Sequence, residues 1–148
     1  MDENTEHSGF AARLSAAVNA HDLERVTACF TEDYVNETPA HPARGFRGRK
    51  QVRRNWTRLF EALPDITATI LQSSQEQDRV WSEWEMRGRR RDGAEQILCG
   101  VIIFGLEGDR ARSARFYLEP LDQGDLDIDG AVGRTTGSPA GTQAGGTP

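Results

Sequence analysis

Two short runs of this sequence place chemistry-bearing side chains on single strand faces. Tyr34–Thr38 alternates, which puts Tyr34, Asn36 and Thr38 on one face and Val35 and Glu37 on the other. Asn36 both donates and accepts, so it can orient a ligand carbonyl or a water. It reads equally well as a polar residue capping the loop that begins at Pro39. Near the other end of the chain, Ser113, Arg115, Tyr117 and Glu119 share one face, and Ala114, Phe116 and Leu118 share the opposite one. By alternation alone the apolar face is core and the polar face meets solvent, with Glu119 paired to a neighbouring arginine. Trp56, Trp84, Phe104 and Tyr117 are large enough to wall an apolar site if they converge on one cavity. Taken singly, each reads as core packing.

Other chemistries find little support. His7, His21 and His41 are scattered, and Cys29 and Cys99 form no CxxC, so neither a metal centre nor a disulfide framework is expected. Reduced thiols fit a cytoplasmic protein. There is no GxGxxG or P-loop pattern, so nucleotide binding is not implied, and no cofactor is expected. Arg44, Arg47, Arg49, Lys50, Arg53, Arg54 and Arg58 form a basic cluster, but no aromatic platform is interleaved with them. They read as a solvated helix face, so a nucleic-acid partner is not expected. No apolar run approaches the roughly 18–20 residues of a membrane span, and the polar start carries no signal-peptide pattern.

The elements that must position these residues follow from periodicity. Phe10, Leu14, Ala17 and Val18 make one helical stripe, and Leu23, Val26, Cys29 and Phe30 continue the period in a second short helix capped by Asp22. A loop with two prolines and two glycines covers Pro39–Gly48. Val52, Trp56, Leu59, Phe60 and Leu63 define a third helix, about Arg49–Leu63, ended by Pro64-Asp65. Strands follow at Ile66–Gln72, Arg79–Arg90, Gln96–Leu106 and Arg112–Leu118, with hairpin signals at Asp92-Gly93 and Gly108. Helices and antiparallel strands segregate, which argues an α+β fold.

The 148 residues carry a net charge of −5, a hydrophobic fraction of 36% and a charged fraction of 28%. The segment 121–148 distorts these averages, because it has no Phe, Trp or Tyr and holds seven of the fifteen glycines. Its four aspartates against Arg134 supply −3 of the total charge. The expected organisation is a disordered N-terminus over 1–8, one domain over 9–120, and a flexible acidic tail over 121–148.

This order of elements, with its motifs in place, resembles the SnoaL-like branch of the nuclear-transport-factor-2-like (NTF2-like) superfamily from about Phe10 to Pro120. The resemblance rests on Asn19-Ala-His-Asp-Leu-Glu-Arg-Val, Phe30-Thr-Glu-Asp-Tyr-Val, Gly45-Phe-Arg-Gly-Arg-Lys and Leu63-Pro-Asp-Ile. It continues in Phe104-Gly-Leu-Glu-Gly-Asp-Arg and Arg115-Phe-Tyr-Leu-Glu-Pro. It implies a cone-shaped, curved antiparallel sheet wrapped around three N-terminal helices, with a pocket between them. The family includes isomerases, polyketide cyclases, an epoxide hydrolase and non-catalytic binders, so fold does not decide function.

In the cyclases and the hydrolase an acidic residue at the position of Glu119 points into the pocket. The resemblance therefore implies Glu119 as a catalytic group, its pKa raised by desolvation, in cofactor-free acid/base chemistry of isomerase, cyclase or hydratase type. Tyr34, Asn36, Trp56, Trp84, Phe104 and Tyr117 are the expected ligand-binding residues, for a hydrophobic small molecule with a carbonyl or hydroxyl. The hydrolase's Arg–Asp pair is replaced by Trp84 and Met86, with Glu83 and Glu85 on the opposite strand face, and no histidine lies on that strand as in the cyclases. The alternative is a non-catalytic ligand-binding or dimerisation module. A homodimer through the convex sheet face, anchored by Trp81, is expected in either case.

Overall fold

The apolar stripe of Phe10, Leu14, Ala17 and Val18 is buried along α1 (Gly9–Asn19). Phe10 meets Phe104 edge-on at 4.8 Å, which seats the helix on the sheet. The chain is described by a computed structural model over residues 9–138. The 1–8 segment, expected to be disordered, lies outside those residues.

The turn after α1 explains the first family-like motif. Asn19 uses both ends of its amide on β3 (Thr67–Glu76), accepting from the Ala68 N–H at 2.7 Å and donating to the Ala68 carbonyl at 3.0 Å. His21 Nε2 lies 2.9 Å from the Ile66 carbonyl, and its ring stacks on Phe60. Asp22 then accepts from the Arg25 N–H and starts α2 (Leu23–Ala28). Because β3 is a sheet edge, these side chains satisfy backbone groups that no further strand pairs.

β1 (Phe30–Glu37) follows, then a 3-10 turn at Pro42–Arg44, the two-residue β2 (Phe46–Arg47), and α3 (Arg49–Ala62). After β3 come β4 (Arg79–Arg89), β5 (Glu95–Glu107) and β6 (Arg110–Pro120). They form one curved, open sheet in the order β2-β1-β6-β5-β4-β3, an α+β architecture. The sheet is antiparallel, as expected, except at one pair that the expectation did not specify. β1 pairs with β6 in parallel, Glu37 standing beside Arg115, while every other pairing is antiparallel. The helical crossover through α3 and the hairpins permit that return, which no local pattern encodes.

Register sorts the side chains. Phe116, Ile102 and Ser82 face the helices in one row, Leu118, Gly100, Trp84 and Ile70 in the next. Trp84 is fully buried, and its indole N–H donates to Ser82 Oγ at 2.8 Å, which in turn donates to the Ile102 carbonyl. Gly100 has φ +144, and a Cβ there would stand 2.0 Å from the Tyr117 carbonyl oxygen. Only glycine lets β5 and β6 approach at this point.

The tail also departs from expectation. Ile128–Thr136 forms a helix, α4, capped by Asp127, which accepts from the Gly130 N–H at 2.9 Å, and closed by Gly137 in the left-handed conformation. Glycine content obscured two ordinary cap signals. The remainder of the tail, 139–148, lies outside the described residues.

Candidate functional site

The Tyr34–Asn36–Thr38 face of β1 points inward, toward α3. With the apolar stripe of α3 and the inward face of the sheet it lines a cavity of 270 Å³ that opens to solvent. Val52, Asn55, Trp56 and Leu59 line it from α3. Phe46 and Arg44 close the mouth, and Met86, Leu98, Phe116 and Leu118 form the sheet wall. The walls are mostly apolar, and the polar side chains among them are Tyr34, Asn36, Thr38, Asn55 and Arg44.

Those polar groups are ordered by hydrogen bonds. The Tyr34 hydroxyl donates to Asn36 Oδ1 at 2.7 Å, and Asn36 Nδ2 donates to Thr38 Oγ1 at 3.4 Å. Burial pushes the Tyr34 phenol well above its ordinary pKa, because the phenolate would be stranded away from water. The hydroxyl therefore stays a donor. On α3, Gln51 Nε2 donates to Asn55 Oδ1 at 2.8 Å, one turn further along the helix.

The expected site residues divide. Tyr34, Asn36 and Trp56 line the cavity. Trp84 and Phe104 face the same side of the sheet but are fully packed in the core and do not reach the cavity. Tyr117 and Glu119 lie on the other face. β6 alternates without interruption here, so Phe116 and Leu118 take the inward positions and Tyr117 and Glu119 stand opposite Val101 and Cys99 on the convex side. The inward-facing Glu119 implied by the family resemblance is thus corrected in favour of plain alternation.

Glu119 is instead held at the rim. His41 Nε2 lies 3.0 Å from its Oε2, close enough for an ion pair but off the line of a hydrogen bond, so Oε2 accepts none. Arg44 Nη1 lies 3.9 Å from Oε1, and the side chain is 38% exposed. Glu83 and Glu85 also face outward, bonded to Gln72 and Arg87. Arg115 reaches Glu37 at 2.7 Å across the parallel pair.

Thr38 was grouped with Asn36 by alternation, but Arg44 and Asn55 were not singled out as site residues. Asn55 had a signal, since Val52, Asn55, Trp56 and Leu59 fall at i, i+3, i+4 and i+7 on one helix face. Arg44 had none, because only the fold of the proline-rich loop brings it to the mouth. Four members of the basic cluster, Arg47, Arg49, Lys50 and Arg53, line a separate, solvent-open groove of 630 Å³ with Glu24 and Glu32 among its walls. There Arg53 forms a two-pronged pair with Glu24 at 2.7 and 2.8 Å. Mixed charge, not a uniform basic surface, characterises that groove.

Residues 11–114 match the SnoaL-like domain family. The chain belongs to this family. Among solved structures, this SnoaL-like protein resembles a putative SnoaL-like polyketide cyclase from Jannaschia sp. CCS1, with a TM-score of 0.64 at 17% identity over 77% of this chain and 85% of that one. It also resembles RV0760c from Mycobacterium tuberculosis in complex with estradiol-17beta-hemisuccinate, with a TM-score of 0.63 at 19% identity over 72% and 88%. A hypothetical protein with a ketosteroid isomerase-like fold from Catenulispora acidiphila DSM 44928, in complex with trimethylamine, gives 0.62 at 17% over 95% and 98%. At these identities the likeness is one of fold. No match was found among curated proteins. Among the described residues, no helix is long and apolar enough to cross a membrane.

Proposed function

We propose that this SnoaL-like protein binds a hydrophobic small molecule in the cavity between α3 and the sheet, as a ligand-binding module. The supporting observation is the lining itself, mostly apolar, whose polar side chains are amides, hydroxyls and one arginine, with no carboxylate or imidazole among them. Acid/base chemistry through Glu119 loses its footing, because that carboxylate sits on the opposite sheet face between His41 and Arg44. The estradiol-17beta-hemisuccinate complex of RV0760c lends the same reading support by analogy of fold.

The test uses 2-ethylnaphthalene, a hydrocarbon with no polar group, followed by amide chemical shifts. Saturable shifts centred on Val52, Trp56 and Phe116 are expected. Leu118→Trp, which puts an indole into the cavity, is expected to abolish them while leaving the circular dichroism spectrum unchanged. Absence of shifts in the parent protein, or equal binding by a folded Leu118→Trp variant, overturns the reading.

The convex face is the surface we assign to a homodimer. Trp81 is 50% exposed there and Tyr117 39%, beside Ile103 and Val101 in register. Sedimentation equilibrium at micromolar concentration is expected to give a dimer, and Trp81→Glu a monomer. A monomeric parent protein refutes the assignment. Free Cys29 and Cys99 support a reducing, cytoplasmic setting.

A further inference from the structure

The two polar chains that reach the cavity run in the same direction. On α3, Arg54 donates to the Gln51 side-chain oxygen. Arginine has no acceptor, so this contact fixes the Gln51 amide with its nitrogen toward Asn55. Gln51 Nε2 then donates to Asn55 Oδ1, which leaves the Asn55 Nδ2 protons for the cavity. On β1, the buried Tyr34 hydroxyl must place its proton, and its partner is Asn36 Oδ1. That fixes the Asn36 amide, whose Nδ2 donates to Thr38 Oγ1. The Thr38 hydroxyl has accepted, and its own proton is directed to no acceptor among the described residues.

Both relays therefore end in unspent donors, while the side-chain oxygens of Asn36, Thr38 and Asn55 each already accept one bond. Arg44 adds a cation at the mouth. Its link to Glu119 at 3.9 Å is loose and involves one nitrogen, so most of the guanidinium fork remains available.

We infer that the polar end of the ligand is an acceptor-only group, a carboxylate, received by Asn55 Nδ2, the Thr38 hydroxyl and Arg44, with the hydrophobic body against Trp56 and Phe116. This inference rests on the binding reading above and adds the chemistry of the head group. A carboxylate offers several lone-pair positions and no proton, which matches three donors and a positive charge. An alcohol brings no negative charge to Arg44 and must also place its own proton, on oxygens that each already take part in a hydrogen bond. An ammonium group would meet donors and a like charge, at full desolvation cost.

The experiment compares three probes on one skeleton, 2-naphthylacetic acid, 2-naphthaleneethanol and 2-(2-naphthyl)ethylamine, by calorimetric titration at neutral pH. The acid is expected to bind about tenfold or more tightly than the alcohol, as charge-assisted hydrogen bonds are the stronger kind. The amine is expected to bind most weakly. Arg44→Met, a change at an exposed side chain that leaves folding intact, is expected to remove most of the acid's advantage while the alcohol's affinity is kept. Thr38→Val is expected to reduce it in the same direction. If the three probes bind equally, or if Arg44→Met weakens acid and alcohol alike, the head-group assignment is overturned while the cavity remains a binding site. If no probe binds, and 2-ethylnaphthalene does not either, both fall together.

Discussion

Trp84→Ala is expected to destabilise the protein by about 3–5 kcal/mol, the range for deleting a large buried aromatic side chain. Trp84 is 0% exposed and sits in the middle of the inward sheet face, between Ile70 on β3 and Gly100 on β5. Truncation leaves a void that a close-packed interior cannot collapse into, and it also removes the indole donor from Ser82 Oγ, which keeps only its bond to the Ile102 carbonyl. A domain of this size has only about 5–15 kcal/mol in all. Urea denaturation followed by far-ultraviolet circular dichroism measures the loss. A change below about 1 kcal/mol contradicts the packing described here, because cavity formation at a fully buried tryptophan does not come so cheaply.

Tyr34 produces the second large effect, and it appears at high pH. Its phenol has an ordinary pKa of 10.0, raised in the folded protein by burial. Above pH 10 the unfolded chain loses this proton and the folded chain keeps it. The folded state then binds more protons, so stability falls as pH rises, by about 1.4 kcal/mol per pH unit for one group. Below pH 10 the contribution is intact. Tyr34→Phe is expected to remove that slope. It is also expected to cost about 0.5–1.5 kcal/mol at neutral pH through the lost bond to Asn36. Denaturation midpoints of both proteins between pH 9 and 11.5 give the comparison. Parallel slopes contradict a buried, protonated Tyr34.

Glu119 and Asn36 show how far residue patterns reach and where they stop. Alternation along β6 separates Phe116 and Leu118 from Tyr117 and Glu119, and the structure follows that separation. The family resemblance pointed Glu119 inward instead. Its actual partners, His41 and Arg44, lie in the loop after β1, which continues alongside β6 beyond the parallel pair. Asn36 is different. Its face, its polar neighbours and its proximity to a loop are all legible from Tyr34 to Thr38, because a strand has a period of two wherever it is placed. The tail is a third case. Asp127 and Gly137 are ordinary helix-capping residues at the ends of α4, but counting glycines over the whole segment hides them.

The sequence by itself determined the α+β class, the three amphipathic helices, the two alternating faces of β1, the apolar stripe of α3, and the absence of an Arg–Asp pair on β4. These are consequences of local period and side-chain type, which act over a few residues. Only the tertiary structure decided that β1 and β6 pair in parallel, that Glu119 faces away from the cavity, and that the Asn36 and Asn55 amides both accept through their oxygens. Strand pairing joins residues 78 positions apart, as at Glu37 and Arg115. The orientation of an amide is set by whichever donor or acceptor another residue brings to it. Neither is written in the residue's own neighbourhood, and the second sets the chemistry of the cavity.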